Sequence, residues 1–402
     1  MLKKTDTIVL IGWRRYAIQR AKELGLYVIY IEHNGKVRPE DAKLADEVVE
    51  MDYRNIEQCV AWVKQRNRQV PIKLIISFAE DGLIPAAKCN EALGICWNSV
   101  ETVELLKNKW KMRDHLSQNG FSSIEYSIGK SLEDIRQFYF KLQRPIVIKP
   151  IDGTASQDIY LIRSEKDIEK LRQFVERLRY SEFLIEEYLE GEEFSIETMS
   201  FHGEHLVLAI TDKKTFPNFV EKGHTLPTQL PQEKKVILEE FVKNFLTIIG
   251  LKEGPAHTEV KWTPYGPRII ESHNRIGGDK INELYKLAYK HDMLTITFAW
   301  AKGLRQIKEP PQPVAAASIQ FISLPPGRVV EIEGVEQIRK QPFVSLVELS
   351  VKVNDEIKEL RSSWDRVGCI ICSGKNPKEA INRCEEMIQQ LKIKTIPVRD
   401  IG

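Results

Sequence analysis

The chain has 402 residues, more than one hydrophobic core usually holds, so two or three domains are expected. Apolar residues make up 42% and charged residues 29%, an ordinary balance for a soluble protein. The net charge of +2 comes without a long basic run, which argues against nucleic acid or a membrane surface as the main partner.

No stretch approaches the ~20 apolar residues of a membrane span. The apolar run at residues 8–11 is too short for an export-signal core, and six scattered cysteines do not resemble a disulfide framework. The cytoplasm is the expected compartment.

Residues 7–12 read as a buried strand. Residues 14–24 read as a helix, with Ala17, Ala21 and Leu24 on one stripe and Gly25 as its stop. With a strand at 27–31 this makes a parallel βαβ unit. After Gly12 come Trp13, Arg14 and Arg15 rather than more glycines, so NAD is disfavoured there. A helix at 56–63 and a strand at 72–77 repeat the pattern. Glu80 and Asp81 follow at the strand's carboxyl end, the edge where open α/β sheets bind ligands. Capping of the helix at 85–93 is the expected role for at least one of them, and contact with a cationic substrate group is the alternative. Residues 1–100 thus form one Rossmann-like parallel α/β domain.

Residues 105–119 read as one lysine-rich helix ending at Gly120, its charges fitting a solvated face. Ser131-Leu-Glu-Asp134 is a capping-type helix start. Lys149 is a cation at the end of the apolar strand 146–149. A small polar loop, 151–158, and a strand at 159–162 follow it. Lysine and loop together suit an anion such as nucleotide phosphates, although each alone is more often part of a turn. The acidic segment 186–193 lies between two strands. It serves metal, amine or ribose hydroxyls, or is a solvated turn.

Residues 263–267, Thr-Pro-Tyr-Gly-Pro, are turn material between two β-prone runs. A hairpin with that five-residue loop sets Trp262 across from Arg268 and Glu259 directly opposite Glu271. Opposed like charges destabilise a sheet. A shared proton or a hard cation would compensate them; on a solvated face the carboxylates would never meet.

Residues 235–249 and 280–302 read as helices stopped by Gly250 and Gly303. A proline-rich linker at 309–313 is followed by β-like stretches at 315–322, 327–332 and 344–353. Cys369 and Cys372 have no second pair to complete a zinc site. In a strand they point to opposite faces, which makes them core residues. Asn376-Pro377-Lys-Glu379 starts a final helix.

Lys109, the Pro-Ile-Val-Ile-Lys149-Pro strand with its small-residue loop, the Glu186-Glu-Tyr-Leu189-x-Gly-x-Glu193 hinge and the Glu259…Glu271 pair occur in order. Together they resemble the ATP-grasp superfamily of carboxylate–amine ligases over residues 1–310. The segment 219–227, with Glu221 and His224, and the run Glu271-x-x-x-Arg275 are most similar to the L-amino-acid ligases that make dipeptides.

The resemblance implies an α/β and α+β multidomain architecture. Residues 1–100 would precede an ATP-grasp domain at 101–310, with a small lid at about 120–190, and a small β-rich domain at 311–402 would shape the substrate pocket. It implies ATP and Mg2+, with Mn2+ able to stand in. Lys109, Lys149 and Ser156 would serve the phosphates, Glu186, Glu187 and Leu189 the adenine, and Glu193 the ribose. Glu259 and Glu271 would bind the metal, where His273 and Asn274 replace a common further asparagine ligand. Ala155 and Asp158 stand where glycines are common.

Arg275 would grip the transferred phosphoryl group. Glu221 and His224 would hold the substrate ammonium and relay its proton, with Glu80, Gly277 and Gly278 beside the substrate. The implied reaction joins two amino acids through an acyl-phosphate. The partners would be small molecules, with a homodimer allowed for. The alternatives are an ATP-grasp ligase or carboxylase acting on another carboxylate or bicarbonate, and a catalytically degenerate nucleotide-binding protein.

Overall fold

The computed structural model describes residues 6–178 and 182–397. Four parallel strands open the chain: β1 (Thr7–Ile11), β2 (Tyr27–Glu32), β3 (Glu47–Glu50) and β4 (Ile72–Ser77). They lie in the order β3-β2-β1-β4. β1 is buried throughout, as a strand covered on both faces must be. The order reverses at β1, so the crevice beyond the carboxyl ends of β1 and β4 is the sheet's switch point. Gly12 packs its backbone against Ala79 there. A Cβ on Gly12 would lie 2.7 Å from that of Ala79, and its φ of +75° suits glycine.

The segment expected to form the lid is a separate antiparallel sheet of β5 (Tyr126–Gly129), β6 (Ile146–Pro150), β7 (Tyr160–Ile162) and β8 (Phe183–Glu187), ordered β5-β8-β6-β7. The expected Ser131/Asp134 capping box starts its helix, Leu132–Leu142, whose Ile135 and Phe138 pack on Ile146, Ile148 and Phe183.

The body of the molecule is one eight-stranded antiparallel sheet. Its strands are β9 (Glu192–Phe201), β10 (Glu204–Thr215), β11 (Glu221–Leu226), β12 (Gly254–Thr263), β13 (Gly266–His273) and β14 (Ala316–Ile322). After β15 (Gly327–Glu333), the chain adds β16 (Val344–Leu349), β17 (Glu356–Ile357), β18 (Gly368–Gly374) and β19 (Lys392–Ile396). The large sheet runs β13-β12-β9-β10-β11-β14-β18-β16, so it passes without a break across the expected boundary at 310. Only β17-β15-β19 form a sheet of their own in the C-terminal part. One face packs on the first domain through Met199, Leu206, Leu226 and Ile319, the other on the helix Gln232–Ile248 through Phe194, Ile196 and Ile210. No described helix is long and apolar enough to cross a membrane.

Three helices differ from the sequence reading. The first starts at Ala17 rather than residue 14, because Tyr16 takes a left-handed conformation at φ 65°. The lysine-rich helix is two, Val100–Lys107 and Lys109–Gln118. Extended Asn108 separates them and caps the second by accepting from the Lys111 amide. The segment 280–302 is also two helices, Ile281–Tyr289 and Met293–Ala301. Lys290 turns left-handed at φ 60° and Asp292 caps the second. Cys369 and Cys372 are buried and unbridged in two different cores. Asn376 and Pro377 start their helix as expected.

Candidate active site

The β12–β13 turn is tighter than the sequence reading has it. Thr263 pairs with Gly266, leaving a two-residue loop, so Lys261 and not Trp262 faces Arg268. That register alone would set Glu259 against Ile270. A β-bulge between Glu259 and Val260 takes up Ile270 as an extra residue, and Glu259 pairs with Glu271 after all. Both carboxylates line a cavity of about 450 Å3.

Four cationic or imidazole groups surround the pair. Lys213 lies 2.8 Å from Glu259 and Lys109 2.8 Å from Glu271. His257 Nε2 is 3.4 Å from Glu259, and His273 Nε2 is 3.2 Å from Glu271. Burial alone would raise both acids, but Lys213 and His257 bring Glu259 down to about 2, and Lys109 and His273 hold Glu271 well below the usual range. These neighbours favour the ionised form of both acids and offset their mutual repulsion without a shared proton. Burial opposes the charge on His257, yet Glu197 at 2.6 Å raises its pKa to about 9.

Among the described residues no group of three or more His, Cys, Asp or Glu is arranged as a metal site. Two ionised carboxylates facing one cavity do suit a hard cation that takes its other ligands from phosphate and water.

The lid contributes a second charged cluster. Glu186 accepts from Arg113 Nε at 2.7 Å and meets Lys149 Nζ at 2.5 Å. Burial would raise its pKa, and the two cations lower it. Arg113 is 1% exposed and also donates to the carbonyls of Ile269 and Ile270 at the bulge. Beyond β8, Gly191 lies against the hairpin. A Cβ there would sit 1.9 Å from the Trp262 carbonyl oxygen, which explains a glycine in the hinge. Glu193 pairs with Lys213 at 2.8 Å and with Lys261 at 3.4 Å.

Between β6 and β7, Ala155, Ser156 and Asp158 all have left-handed φ, at 59°, 53° and 55°. The loop is tied down from several sides. Lys109 Nζ donates to the Gly153 carbonyl at 2.7 Å, the Ser363 amide to Ala155 at 3.0 Å, and Ser156 Oγ to Glu221 at 3.0 Å. Asp158 turns aside, accepting from Tyr160 at 2.9 Å and Arg177 at 3.0 Å.

Glu221 and His224, three residues apart on β11, would ordinarily point to opposite faces. A second bulge takes up exposed Lys222 and lets both line the cavity. His224 Nε2 lies 3.1 Å from Asp279, while its buried Nδ1 has no partner. Arg366 holds Asp279 through two bonds of 2.9 and 2.6 Å.

The first domain closes the other side. Arg14 donates to the Gly277 carbonyl, and Arg275 Nε donates to Glu80 at 2.5 Å. Lys107 at 2.9 Å and His273 at 3.0 Å also reach Glu80. Burial pushes Glu80 up, but Arg275, His273 and Lys107 hold it well below the usual range.

Three family models match the chain. They are the ATP-grasp N-terminal domain over residues 18–96, the ATP-grasp domain over 142–283 and the L-amino acid ligase C-terminal domain 2 over 320–395. The chain thus carries an ATP-grasp N-terminal domain, an ATP-grasp domain and an L-amino acid ligase C-terminal domain in order. An L-arginine-specific L-amino acid ligase of Bacillus subtilis is 25% identical, the match covering 73% of each chain. The alanine–anticapsin ligase of Bacillus subtilis (strain 168) is 28% identical over 52% of this chain and 50% of its own length, so the chain spans about half of that relative. A solved L-amino acid ligase from Bacillus licheniformis shares the fold, with a TM-score of 0.83 and 24% identity over 98% of this chain and 100% of that one.

Within this ATP-grasp frame the cavity gathers nearly every residue singled out from the sequence: Lys109, Lys149, Ser156, Glu186, Glu187, Leu189, Glu193, Glu221, His224, Glu259, Glu271, Arg275 and Gly278. Gly277 stands behind it, bonded through its amide to Glu197 at 3.2 Å. One expectation fails. Neither Glu80 nor Asp81 caps the following helix, whose N-cap is Gly82 without a side-chain bond. Glu80 lines the same cavity, with Arg275, Lys107 and the His273 imidazole around it. The Glu187 amide donates to the Glu125 carbonyl at 2.9 Å.

Sequence reasoning missed Lys213, Arg113, Arg14 and Arg366. The first has only a strand register for a signal, and the others are fixed by contacts between distant segments.

Proposed function

We propose that the chain is an ATP-dependent L-amino-acid ligase, joining two amino acids through an acyl-phosphate with release of ADP and phosphate. The observation that carries this reading is the facing, ionised Glu259–Glu271 pair set between buried lysines. It is a site built for a cation and a polyphosphate together.

Lys109 and Lys149 would serve the α- and β-phosphates, with the Ser156 loop closing over them. Each Glu186 oxygen takes one cation, which leaves lone pairs for the adenine amino group. The hinge at Leu189 would read the ring edge, and Glu193 the ribose. Glu259 and Glu271 would hold Mg2+, which would supply charge neutralisation at the phosphate oxygens.

A substrate carboxylate oxygen attacks the γ-phosphorus as the bond to the ADP oxygen breaks. The acceptor nitrogen then attacks the acyl carbon, phosphate leaves and the nitrogen loses a proton. Arg275, locked by Glu80, offers its remaining N–H groups to the transferred phosphoryl group. His224 suits the proton step, since Nε2 is engaged with Asp279 and Nδ1 has no partner. Glu221 faces the same space for an ammonium. Asp158 keeps its charge on Arg177, which removes one ground for reading the chain as catalytically silent.

A phosphate-release screen of all amino-acid pairs with ATP and Mg2+, products identified by mass, tests the proposal. Amino-acid-dependent ADP formation is expected. Turnover only with bicarbonate or another carboxylate, or nucleotide binding without turnover, would overturn it.

A further inference from the structure

Three arginines line the cavity, and they differ in what neutralises them. Arg275 is paired with Glu80 and Arg366 with Asp279. Arg14 makes no ion pair among the described residues, and its bond goes to the neutral carbonyl of Gly277. Burial and the nearby Arg275 lower its pKa to about 10, so it stays charged at neutral pH. The carboxylates of Glu283, Glu197 and Asp279 act on it only from beyond ion-pair contact, so the half-buried guanidinium still gains from an anion that arrives beside it.

The fold holds that cation in place. Arg14 sits just beyond β1 at the switch point, between Gly12 at φ 75° and Tyr16 at φ 65°. Its bond to Gly277 fixes the guanidinium plane and uses one of five N–H groups, so a two-donor edge remains for a carboxylate. It comes from the first domain. The groups proposed for the nucleotide come from elsewhere: Lys149 and Glu186 from the lid, Glu259 and Glu271 from the large sheet.

We propose that Arg14 binds the unreacted carboxylate of the amine acceptor, so that the acceptor is an amino acid rather than a simple amine. This rests on the ligase reading above. The donor's carboxylate is consumed at the phosphoryl group. The acceptor's survives the reaction, so a fixed cation recognises it without disturbing the chemistry. The neighbouring Arg275 places the acyl-phosphate beside it, and the acceptor nitrogen lies between the two arginines.

The test compares acceptors with and without the charge. Phosphate release is measured for wild type, Arg14→Met and Arg14→Lys with a mixture of the twenty L-amino acids as donors. Added acceptors are the same amino acids as free acids or as their amides. Wild type should prefer acids over amides by at least tenfold, Arg14→Met should bring the ratio near one, and Arg14→Lys should restore part of it. Equal use of acids and amides by wild type, or an unchanged ratio in Arg14→Met, overturns the proposal. A residue that merely supported Gly277 would lower both rates and leave the ratio alone.

If wild type shows no amino-acid-dependent phosphate release, the ligase reading fails. Equilibrium dialysis of the ADP-loaded protein against the free amino acids then judges Arg14 by itself. Retention by wild type and not by Arg14→Met supports a carboxylate anchor; equal retention, or none, overturns it.

Discussion

The Arg113 guanidinium reaches the Ile270 carbonyl at 3.3 Å, and Ile270 is the residue that β13 carries in excess of its partner strand. Through its other nitrogens Arg113 holds the Ile269 carbonyl and Glu186. One buried side chain thus joins the bulge that aligns Glu271 to the acid of the lid. Arg113→Met would leave Glu186 with Lys149 as its remaining cation and both carbonyls without this donor, an expected loss of about 1–3 kcal/mol. Urea denaturation would show it. Arg113→Lys keeps the charge without the fork and should recover only part.

Gly191→Ala is expected to damage the hinge rather than the core. The new Cβ would lie 1.9 Å from the Trp262 carbonyl oxygen, at a φ of 143° that already favours glycine. The hinge must shift, at a strain of about 1–3 kcal/mol. Titration with ADP should show weaker binding, while a substitution at exposed Glu190 should leave it unchanged.

Glu259→Gln and Glu271→Gln each remove one of the facing charges. Phosphate release from ATP should fall by roughly 100-fold or more, the scale seen when a transition-state electrostatic contact is lost. ADP binding without metal should persist, because Glu271→Gln frees Lys109 for phosphate and Glu259→Gln removes one of the acids that hold Lys213. Calorimetry with and without Mg2+ separates the two effects, and unchanged ATP consumption in either variant would sink the proposed function.

His205 should make the protein acid-sensitive. Its Nδ1 lies 2.8 Å from Ser200 Oγ, its buried Nε2 has no partner, and burial together with Lys243 lowers its pKa below the ordinary 6.5. The unfolded chain therefore takes up a proton at a higher pH than the folded one. Stability should be full above about pH 7 and fall by up to about 1.4 kcal/mol per unit as the pH drops through 6.5, flattening below the folded pKa. His205→Asn should remove that slope in denaturation curves recorded between pH 5 and 8.

Three of the four parallel strands were legible because burial on both faces leaves apolar runs such as Ile8-Val9-Leu10-Ile11, whereas β3, half exposed along its length, was not read. The capping signals at Ser131 and Asn376 were equally plain. The break at Asp292 left a signal that went unread, an N-cap residue inside a helical pattern. The two bulges left none. Glu259 met Glu271 only because a turn shorter than expected and an extra residue cancel, and Glu221 joins His224 only because Lys222 is skipped. Lys213 reaches Glu193 and Glu259 through strand pairing, and Arg366 reaches Asp279 from 87 residues away. Such meetings follow from backbone register and tertiary packing, which local sequence does not encode.

Because β11 pairs directly with β14, the last part of the chain cannot be cut away cleanly. A fragment ending near residue 310 would leave Gly223, His224, Thr225 and Leu226 as a raw edge with unpaired amides, prone to stick to other copies. Exchanging C-terminal portions among relatives would succeed only where the grafted strand matches that edge residue for residue. Evolution can therefore vary the tail while the seam stays constrained.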